Sequence, residues 1–203
     1  MKRPPEWYSK MDVAYLPAFS LSAKLRKCLM IVPVLAVAAL AAQPACGDSN
    51  AAGRTQLVAT KDPAHAPITL SSLDGPPQEL ARLRGRVVLV HFFATWCEPC
   101  RAEMASLRDL HAQLAGRPFV IVPISVAEAD GAVRRFFADD PLPFAILLDR
   151  DRAVTKAWSI HTLPSTVVLD HDLQPRFIAE GDVDWTRPDV RDTLAGLLRE
   201  VPR

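Results

Sequence analysis

The sequence predicts an α/β fold, with a mixed central sheet and helices on both faces of that sheet. Three observations support this prediction. Apolar runs of strand length, rich in β-branched and aromatic residues, recur between residues 86 and 179. Segments with helical spacing of apolar side chains alternate with these runs. The last two runs, 166–170 and 176–179, are separated by a short polar turn, which favours an antiparallel hairpin.

The elements are predicted in order from residue 67. Alternation at 68–70 and the turn signal Asp74-Gly75 indicate a small N-terminal β element. A buried strand over 86–93 follows, then a helix over about 97–115 with Gly116 as its C-cap. The remaining predictions are a strand at 119–126, a helix from 133 closed by Pro141, a strand at 145–149, a helical turn or two at 153–158, the hairpin, and a helix over 188–199. This order is typical of a thioredoxin-like architecture.

The most informative motif is Trp96-Cys97-Glu98-Pro99-Cys100, which places two thiols at the junction between the 86–93 strand and the next helix. Cys97 is expected at the helix N-terminus, where the helix dipole and free backbone N–H groups favour a thiolate. Cys100 is expected one turn inside the helix. The spacing therefore predicts a reversible dithiol in which Cys97 is the exposed nucleophile and Cys100 the shielded resolving thiol.

Two other uses of a Cys-x-x-Cys pair stay open at this point. The pair can form half of a structural zinc site, but such a site normally needs a second pair of ligands, and the other cysteines are Cys28 and Cys46 near the N-terminus. The pair can also form a purely structural disulfide. The strand-turn-helix context favours the redox use, and no metal is expected.

The N-terminal region resembles an export signal. Basic residues at 24–27 precede the uncharged apolar segment 28–42, which is short for a membrane span and is interrupted by Pro33. Ala39-Leu40-Ala41 offers a cleavage site, whereas Gln43 and Pro44 disfavour lipidation at Cys46. The first 23 residues extend the basic region beyond its usual size. Two interpretations follow. Either the true translation start lies downstream of Met1 and 28–42 belongs to a cleaved signal, or the segment is a retained anchor with a short inner tail that tethers the protein to a membrane through 28–42.

The chain is therefore divided into a signal or signal-anchor region at 1–46, a linker at 47–66 and a globular domain at 67–203. The linker is predicted from small and polar residues with scattered Gly and Pro. Lys and Arg number 24 against 23 Asp and Glu, and no block of like charge occurs. This balance gives no electrostatic footprint for nucleic acid. Export implies an oxidising compartment, the periplasm or another extracytoplasmic space, where the domain is soluble after cleavage or anchored to the inner membrane.

From about Pro67 to Leu198 the chain resembles the TlpA/ResA-like group of thioredoxin-fold thiol-disulfide oxidoreductases. The resemblance is carried by Gly85–Val90, Phe92–Met104 and Leu163–Asp170, which include the Cys-Glu-Pro-Cys motif. It implies an enzyme that reduces disulfides in exported proteins, apocytochrome c among them, without a bound cofactor. It also implies thiol or disulfide protein substrates and a membrane-associated electron donor.

The resemblance also implies roles for residues around the cysteines. Trp96, Glu98 and Pro99 belong to the motif itself. Pro164 matches a cis-proline that faces the dithiol, and Leu163 would offer its backbone to a substrate strand.

Two titratable residues near the motif have open roles. Glu103 matches an acid that tunes the thiols, with a solvated residue paired to Arg101 or Arg108 as the alternative. His91 departs from the group, which often has Asn there. A histidine beneath the dithiol can accept the proton of Cys100 because its ordinary pKa is near neutral, and the alternative is a core histidine bonded to a backbone carbonyl.

Two other functional classes compete with the reductase. A thiol peroxidase typically has Thr three residues before its cysteine, whereas Thr95 lies two before Cys97. A copper-handling module typically uses Cys-x-x-x-Cys with a distal His, and this spacing is one residue longer than the spacing here.

His161 lies three residues before Pro164, so its side chain could line the site, but a surface-loop position is expected for it.

Overall fold

A computed structural model describes residues 55–60 and 66–200 of the chain. The predicted signal or anchor region at 1–46, with its apolar segment 28–42 and both Cys28 and Cys46, lies outside the described residues, as does part of the predicted linker. Within the described residues, no helix combines the length and the apolar character that crossing a membrane requires.

The described part of the chain forms one mixed sheet of eight strands in the order β1-β8-β7-β4-β5-β6-β2-β3. The central strands β4, β5 and β6 are parallel, and the outer strands join them antiparallel. The strands are β1 (Val58–Ala59), β2 (Thr69–Ser72), β3 (Gly75–Glu79), β4 (Val87–Phe93), β5 (Phe119–Val126), β6 (Leu147–Asp149), β7 (Ser165–Leu169) and β8 (Pro175–Glu180).

The described residues also form four α-helices, of which the first three connect strands and the last follows β8: α1 (Glu98–Gln113), α2 (Asp130–Phe136), α3 (Ala153–Ala157) and α4 (Pro188–Arg199). Apolar residues of α1 and α4 pack on one face of the sheet, together with Val133 of α2. The opposite face is covered by α3 and by a short 3-10 helix at Leu80–Leu83. Helices therefore cover both faces of a mixed sheet, which confirms the predicted fold class.

Strand β4 lies at the centre of the sheet and is buried along its whole length. Because side chains alternate along a strand, Val88, Val90 and Phe92 join the core beneath α3, and Val87, Leu89 and Phe93 join the core beneath α1. His91 has the same parity as this second set and so projects toward α1. The strand thus places one titratable side chain on the face where the cysteine-bearing helix packs.

The structure corrects the sequence-based boundaries at several points. The linker prediction for 47–66 is wrong at residues 58–59, because β1 pairs with Ile178 and Phe177 of β8 and extends the sheet. Helix α1 ends at Gln113 with Leu114 as its C-cap, so Gly116, at a φ of 78°, lies in the following turn. The strand predicted at 145–149 is confined to 147–149. The predicted hairpin is confirmed as β7 and β8.

Candidate redox site

Cys97 and Cys100 form a disulfide at the start of α1. Cys97 is the N-cap of the helix, and its sulfur accepts a hydrogen bond of 3.3 Å from the backbone N–H of Cys100. Pro99 occupies the first turn, where a missing N–H costs nothing because that group has no partner within the helix. The strand-turn-helix placement expected from the motif is therefore confirmed.

The two cysteines differ less in exposure than the sequence suggests. Cys97 is only 6% exposed and Cys100 is fully buried, so the expectation of an exposed Cys97 is correct only relative to its partner. The residues that flank the cysteines in the motif are exposed. Trp96 is 72% exposed. Glu98, also exposed, pairs with Arg101 at 3.5 Å.

The Leu163–Pro164 peptide bond is cis. It immediately precedes β7, whose Ser165 pairs with Phe92 of β4, so this dipeptide and the Cys97 turn lie at the same edge of the sheet. Pro164 is buried, and its carbonyl accepts a hydrogen bond of 2.8 Å from Gly181. Leu163 packs against the core cluster that contains both cysteines. In the described part of the chain, no hydrogen bond engages its backbone N–H or C=O.

Glu103 is buried on α1, three residues after Cys100, so both project from neighbouring positions on one helix face. Its Oε1 accepts a hydrogen bond from the indole N–H of Trp185, and its Oε2 has no partner among the described residues. Burial raises the pKa of Glu103 to about 8, against the lowering effect of the hydrogen bond from Trp185. The alternative of a solvated Glu103 paired with Arg101 or Arg108 is wrong, since Arg108 pairs with Asp140.

His91 is completely buried on β4. Its Nδ1 lies 2.9 Å from the hydroxyl of Thr166, its partner residue on β7, and 3.9 Å from Oε1 of Glu103. Its Nε2 has no partner in the described residues. Burial lowers the pKa of His91 to about 3, so the near-neutral pKa on which its role as a proton acceptor depended is wrong for this oxidised state. The backbone-carbonyl alternative is also wrong, because among the described residues His91 is hydrogen-bonded to the Thr166 side chain and to no carbonyl.

Sequence reasoning missed two buried residues at the site. Trp185, in the loop before α4, donates an indole hydrogen bond to Glu103, and nothing in the local sequence predicts this contact. Glu128 follows β5 and accepts hydrogen bonds from Ser125 and Thr95. A signal for Glu128 existed, because β4 and β5 are parallel and the residues after them meet at one edge of the sheet.

The remaining described histidines lie apart from this chemistry. His161 is exposed, as expected of a surface loop residue. His171 is buried between two carbonyl oxygens, with Nδ1 3.0 Å from Gly85 and Nε2 3.2 Å from Leu197. Over the ranges 55–60 and 66–200, no group of three or more His, Cys, Asp or Glu side chains is arranged to hold a metal ion.

Comparison with known proteins places this site in a family. The model of the AhpC/TSA family matches residues 61–176. A thiol-disulfide oxidoreductase ResA from Geobacillus thermodenitrificans is 30% identical over 128 residues, which are 63% of this chain and 72% of the relative. The ResA of Bacillus subtilis is 32% identical over 101 residues, which are 50% of this chain and 56% of the relative.

Solved structures share the fold. A thiol:disulfide interchange protein DsbE from Chlorobium tepidum, described as putative, has a TM-score of 0.64 at 18% identity and covers 70% of this chain and 99% of its own. A secreted disulfide oxidoreductase from Mycobacterium tuberculosis, homologous to the DsbE of E. coli, has a TM-score of 0.54 at 25% identity, over 64% and 93% of the two chains. These similarities confirm the thioredoxin-like architecture.

Proposed function

The chain belongs to the AhpC/TSA family and is a ResA-like thiol-disulfide oxidoreductase of the thioredoxin superfamily, and from this premise we propose that it reduces disulfide bonds in exported proteins. The observation that carries the proposal is the buried Cys97–Cys100 disulfide at the start of α1. Cys97 is slightly exposed and Cys100 is not exposed at all, which fits attack by Cys97 followed by internal resolution by Cys100.

The reaction is a two-electron exchange. In the reduced enzyme, the Cys97 thiolate attacks one sulfur of the substrate disulfide, forms a mixed disulfide and expels the other sulfur as a thiolate, which takes up a proton. Cys100 then loses its proton and attacks the Cys97 sulfur, which releases the second substrate thiol. The substrate gains two electrons and two protons, and the enzyme is left with the Cys97–Cys100 disulfide.

Glu103 is the residue we assign to the proton of Cys100. Its raised pKa keeps the carboxyl group largely protonated at neutral pH in the oxidised state. When a reductant attacks Cys97, this proton is available to the departing Cys100 sulfur. The resulting carboxylate is then the base that takes the proton back when Cys100 resolves the next mixed disulfide. One proton thus moves between the two groups in each cycle.

His91 has a positioning role in this scheme. With its pKa at about 3, the imidazole stays neutral at physiological pH and is too weak a base to remove a thiol proton. The contact of its Nδ1 with the Thr166 hydroxyl holds the imidazole in place. The Glu103 carboxyl group packs beside this ring, with 3.9 Å between Nδ1 and Oε1. We assign the proton transfer to Glu103 and the shaping of its environment to His91.

The backbone of Leu163 supports a mode of substrate binding. Its N–H and C=O, unpartnered in the described residues, lie at the sheet edge that also carries the Cys97 turn. An extended substrate segment that pairs with this backbone would bring its disulfide toward Cys97.

The proposed location and partners rest on the export signal that the sequence predicts. We propose that the domain works in the periplasm or another extracytoplasmic space, and that a membrane-associated protein supplies its electrons. The residues at 28–42 serve either as a cleaved signal or as the tether. Apocytochrome c, which must be reduced before haem attachment, is the substrate we propose first.

A peroxidase role is disfavoured by the residues before Cys97. Ala94 occupies the position three residues before the cysteine, and the Thr95 hydroxyl donates to Glu128. The assay that tests the proposal is insulin reduction driven by dithiothreitol, run beside peroxide consumption. Rapid insulin reduction that is lost in both Cys97→Ser and Cys100→Ser is the expected outcome. Peroxide turnover without insulin reduction would contradict the proposal.

A further inference from the structure

We infer that Glu128 is a positioning residue that fixes the Thr95-Trp96 turn and so presents Trp96 and Cys97 to a protein partner. The inference rests on the proposed function, in that it concerns recognition of a protein disulfide by the same site. Glu128 takes no part in bond making. Its effect is on the backbone that precedes the reactive sulfur.

The sheet brings Thr95 and Glu128 together. Strands β4 and β5 are parallel, and Phe93 pairs with Ser125 at their carboxyl ends. Thr95 lies two residues past Phe93 and Glu128 three residues past Ser125. These residues therefore meet at the edge of the sheet from which Cys97 and α1 begin.

The Glu128 carboxylate accepts three hydrogen bonds at this edge of the sheet. Its Oε2 accepts from the Thr95 backbone N–H at 3.0 Å and from the Ser125 hydroxyl at 2.7 Å, and its Oε1 accepts from the Thr95 hydroxyl. Glu128 is 9% exposed. In the described part of the chain, the two bonds to Glu128 are the ones that hold Thr95.

The backbone before Glu128 is also unusual. Ala127 has a φ of 58°, in the left-handed region that residues with a Cβ rarely adopt. Its N–H donates to the Asp149 carbonyl at 3.0 Å, which fixes this conformation against β6. Such strain persists where the surroundings determine it, and it clusters at functional sites. Here the strained residue immediately precedes the side chain that holds the turn.

Trp96 explains why the turn needs support. Trp96 is 72% exposed, so packing contributes little to its position. Within the turn, the Cys97 N–H donates to the Ala94 carbonyl at 3.2 Å. The hydrogen bonds from Thr95 to Glu128 anchor the start of this turn. Without that anchor, Trp96 and the Cys97 backbone have to be ordered each time a partner docks, and this lowers affinity for a protein but not for a small reagent.

The test uses the full chain and measures KM and kcat for insulin reduction. It also measures the rate at which iodoacetamide alkylates reduced Cys97. The variants are Glu128→Ala, which removes the hydrogen bonds to Thr95, and Glu128→Gln, which can keep them. In the Gln variant the amide oxygen can accept from the Thr95 N–H and the amide nitrogen can donate to the Thr95 hydroxyl. Asp109→Ala, an exposed acid on α1, is the matched control. Thr95→Val and Thr95→Ser form a second pair for use if Glu128→Ala does not fold.

Glu128→Ala is expected to raise KM for insulin about 5–10-fold while kcat and the alkylation rate stay within about twofold. Glu128→Gln, Thr95→Ser and Asp109→Ala should stay within about twofold of the wild type in KM, and Thr95→Val should raise KM about threefold. Three results would overturn the inference: an unchanged KM in folded Glu128→Ala or Thr95→Val, an equal loss of alkylation rate and KM, or a Gln variant as impaired as the Ala variant.

Failure of the proposed function has a different signature. If the wild type does not reduce insulin, the reductase proposal fails. The same variants are then compared as oxidants of reduced, unfolded ribonuclease, where the inference requires the same KM ratios.

Discussion

Glu103→Gln is expected to stabilise the oxidised protein relative to the wild type by an amount that increases with pH. Burial raises the pKa of Glu103 from 4.5 in the unfolded chain to about 8 in the folded one. Between these two values the folded protein holds a proton that the unfolded chain has released, so the free energy of unfolding falls as pH rises. The stabilising contribution is fully present below pH 4.5 and is lost by about pH 8. Gln does not ionise, so the variant lacks this loss.

The magnitude follows from the width of that interval. Each pH unit within it changes the free energy of unfolding by about 1.4 kcal/mol. The difference between Glu103→Gln and the wild type should therefore grow by about 2.7 kcal/mol between pH 5 and pH 7. Replacing the carboxyl group by an amide beside Trp185 adds a constant offset, which the comparison across pH removes.

The assay is urea unfolding of the oxidised protein at pH 5, 6, 7 and 8, followed by circular dichroism. Glu98→Gln is the matched control because this side chain lies on the same helix and is 82% exposed. A difference between Glu103→Gln and the wild type that stays constant across pH would refute the reasoning. Equal growth in the Glu98→Gln control would refute it as well.

Two further expectations concern buried histidines. Burial lowers the pKa of His91 from 6.5 to about 3, so the unfolded chain binds a proton that the folded one does not, and wild-type stability falls as pH drops below 6.5. His91→Asn should remove this loss. Urea unfolding between pH 6 and 4 should show the variant gaining about 1.4 kcal/mol relative to the wild type for each pH unit of acidification. A difference between variant and wild type that stays constant over this range would contradict the burial argument. His171→Ala should cost about 2–3 kcal/mol, because it removes contacts to the Gly85 and Leu197 carbonyls. Thermal unfolding checks this against the exposed His161→Ala control, and equal melting temperatures would contradict it.

The redox centre could be predicted because its signals are local. Cys97, Pro99 and Cys100 occupy adjacent positions in a strand-turn-helix, and capping rules alone place them at the start of α1. The central strands could also be predicted, since β4 and β5 are long apolar runs. The strand Val58–Ala59 could not be predicted, because two residues carry no periodicity and β1 forms only through its pairing with β8.

The electrostatic environment of the dithiol was beyond sequence reasoning because long-range contacts determine it. Glu103 has the spacing of either an exposed or a buried helix residue, and its hydrogen-bond partner Trp185 lies 82 residues further along the chain. His91 could be placed beneath the helix by parity, but the reduction of its pKa requires knowing that it is completely enclosed. Glu128 is the exception, because it could have been placed at the site by predicting that β4 and β5, joined through α1, are parallel neighbours.

The most direct test of the proposed function is a trapping measurement on reduced Cys100→Ser and Cys97→Ser variants, each mixed with a disulfide-bonded substrate and analysed by mass spectrometry. The Cys100→Ser variant should accumulate a mixed disulfide through Cys97, because attack proceeds and resolution does not. The Cys97→Ser variant should accumulate little, because Cys100 is fully buried. A mixed disulfide that forms through Cys100, or none in either variant while the wild type turns over, would contradict the assignment.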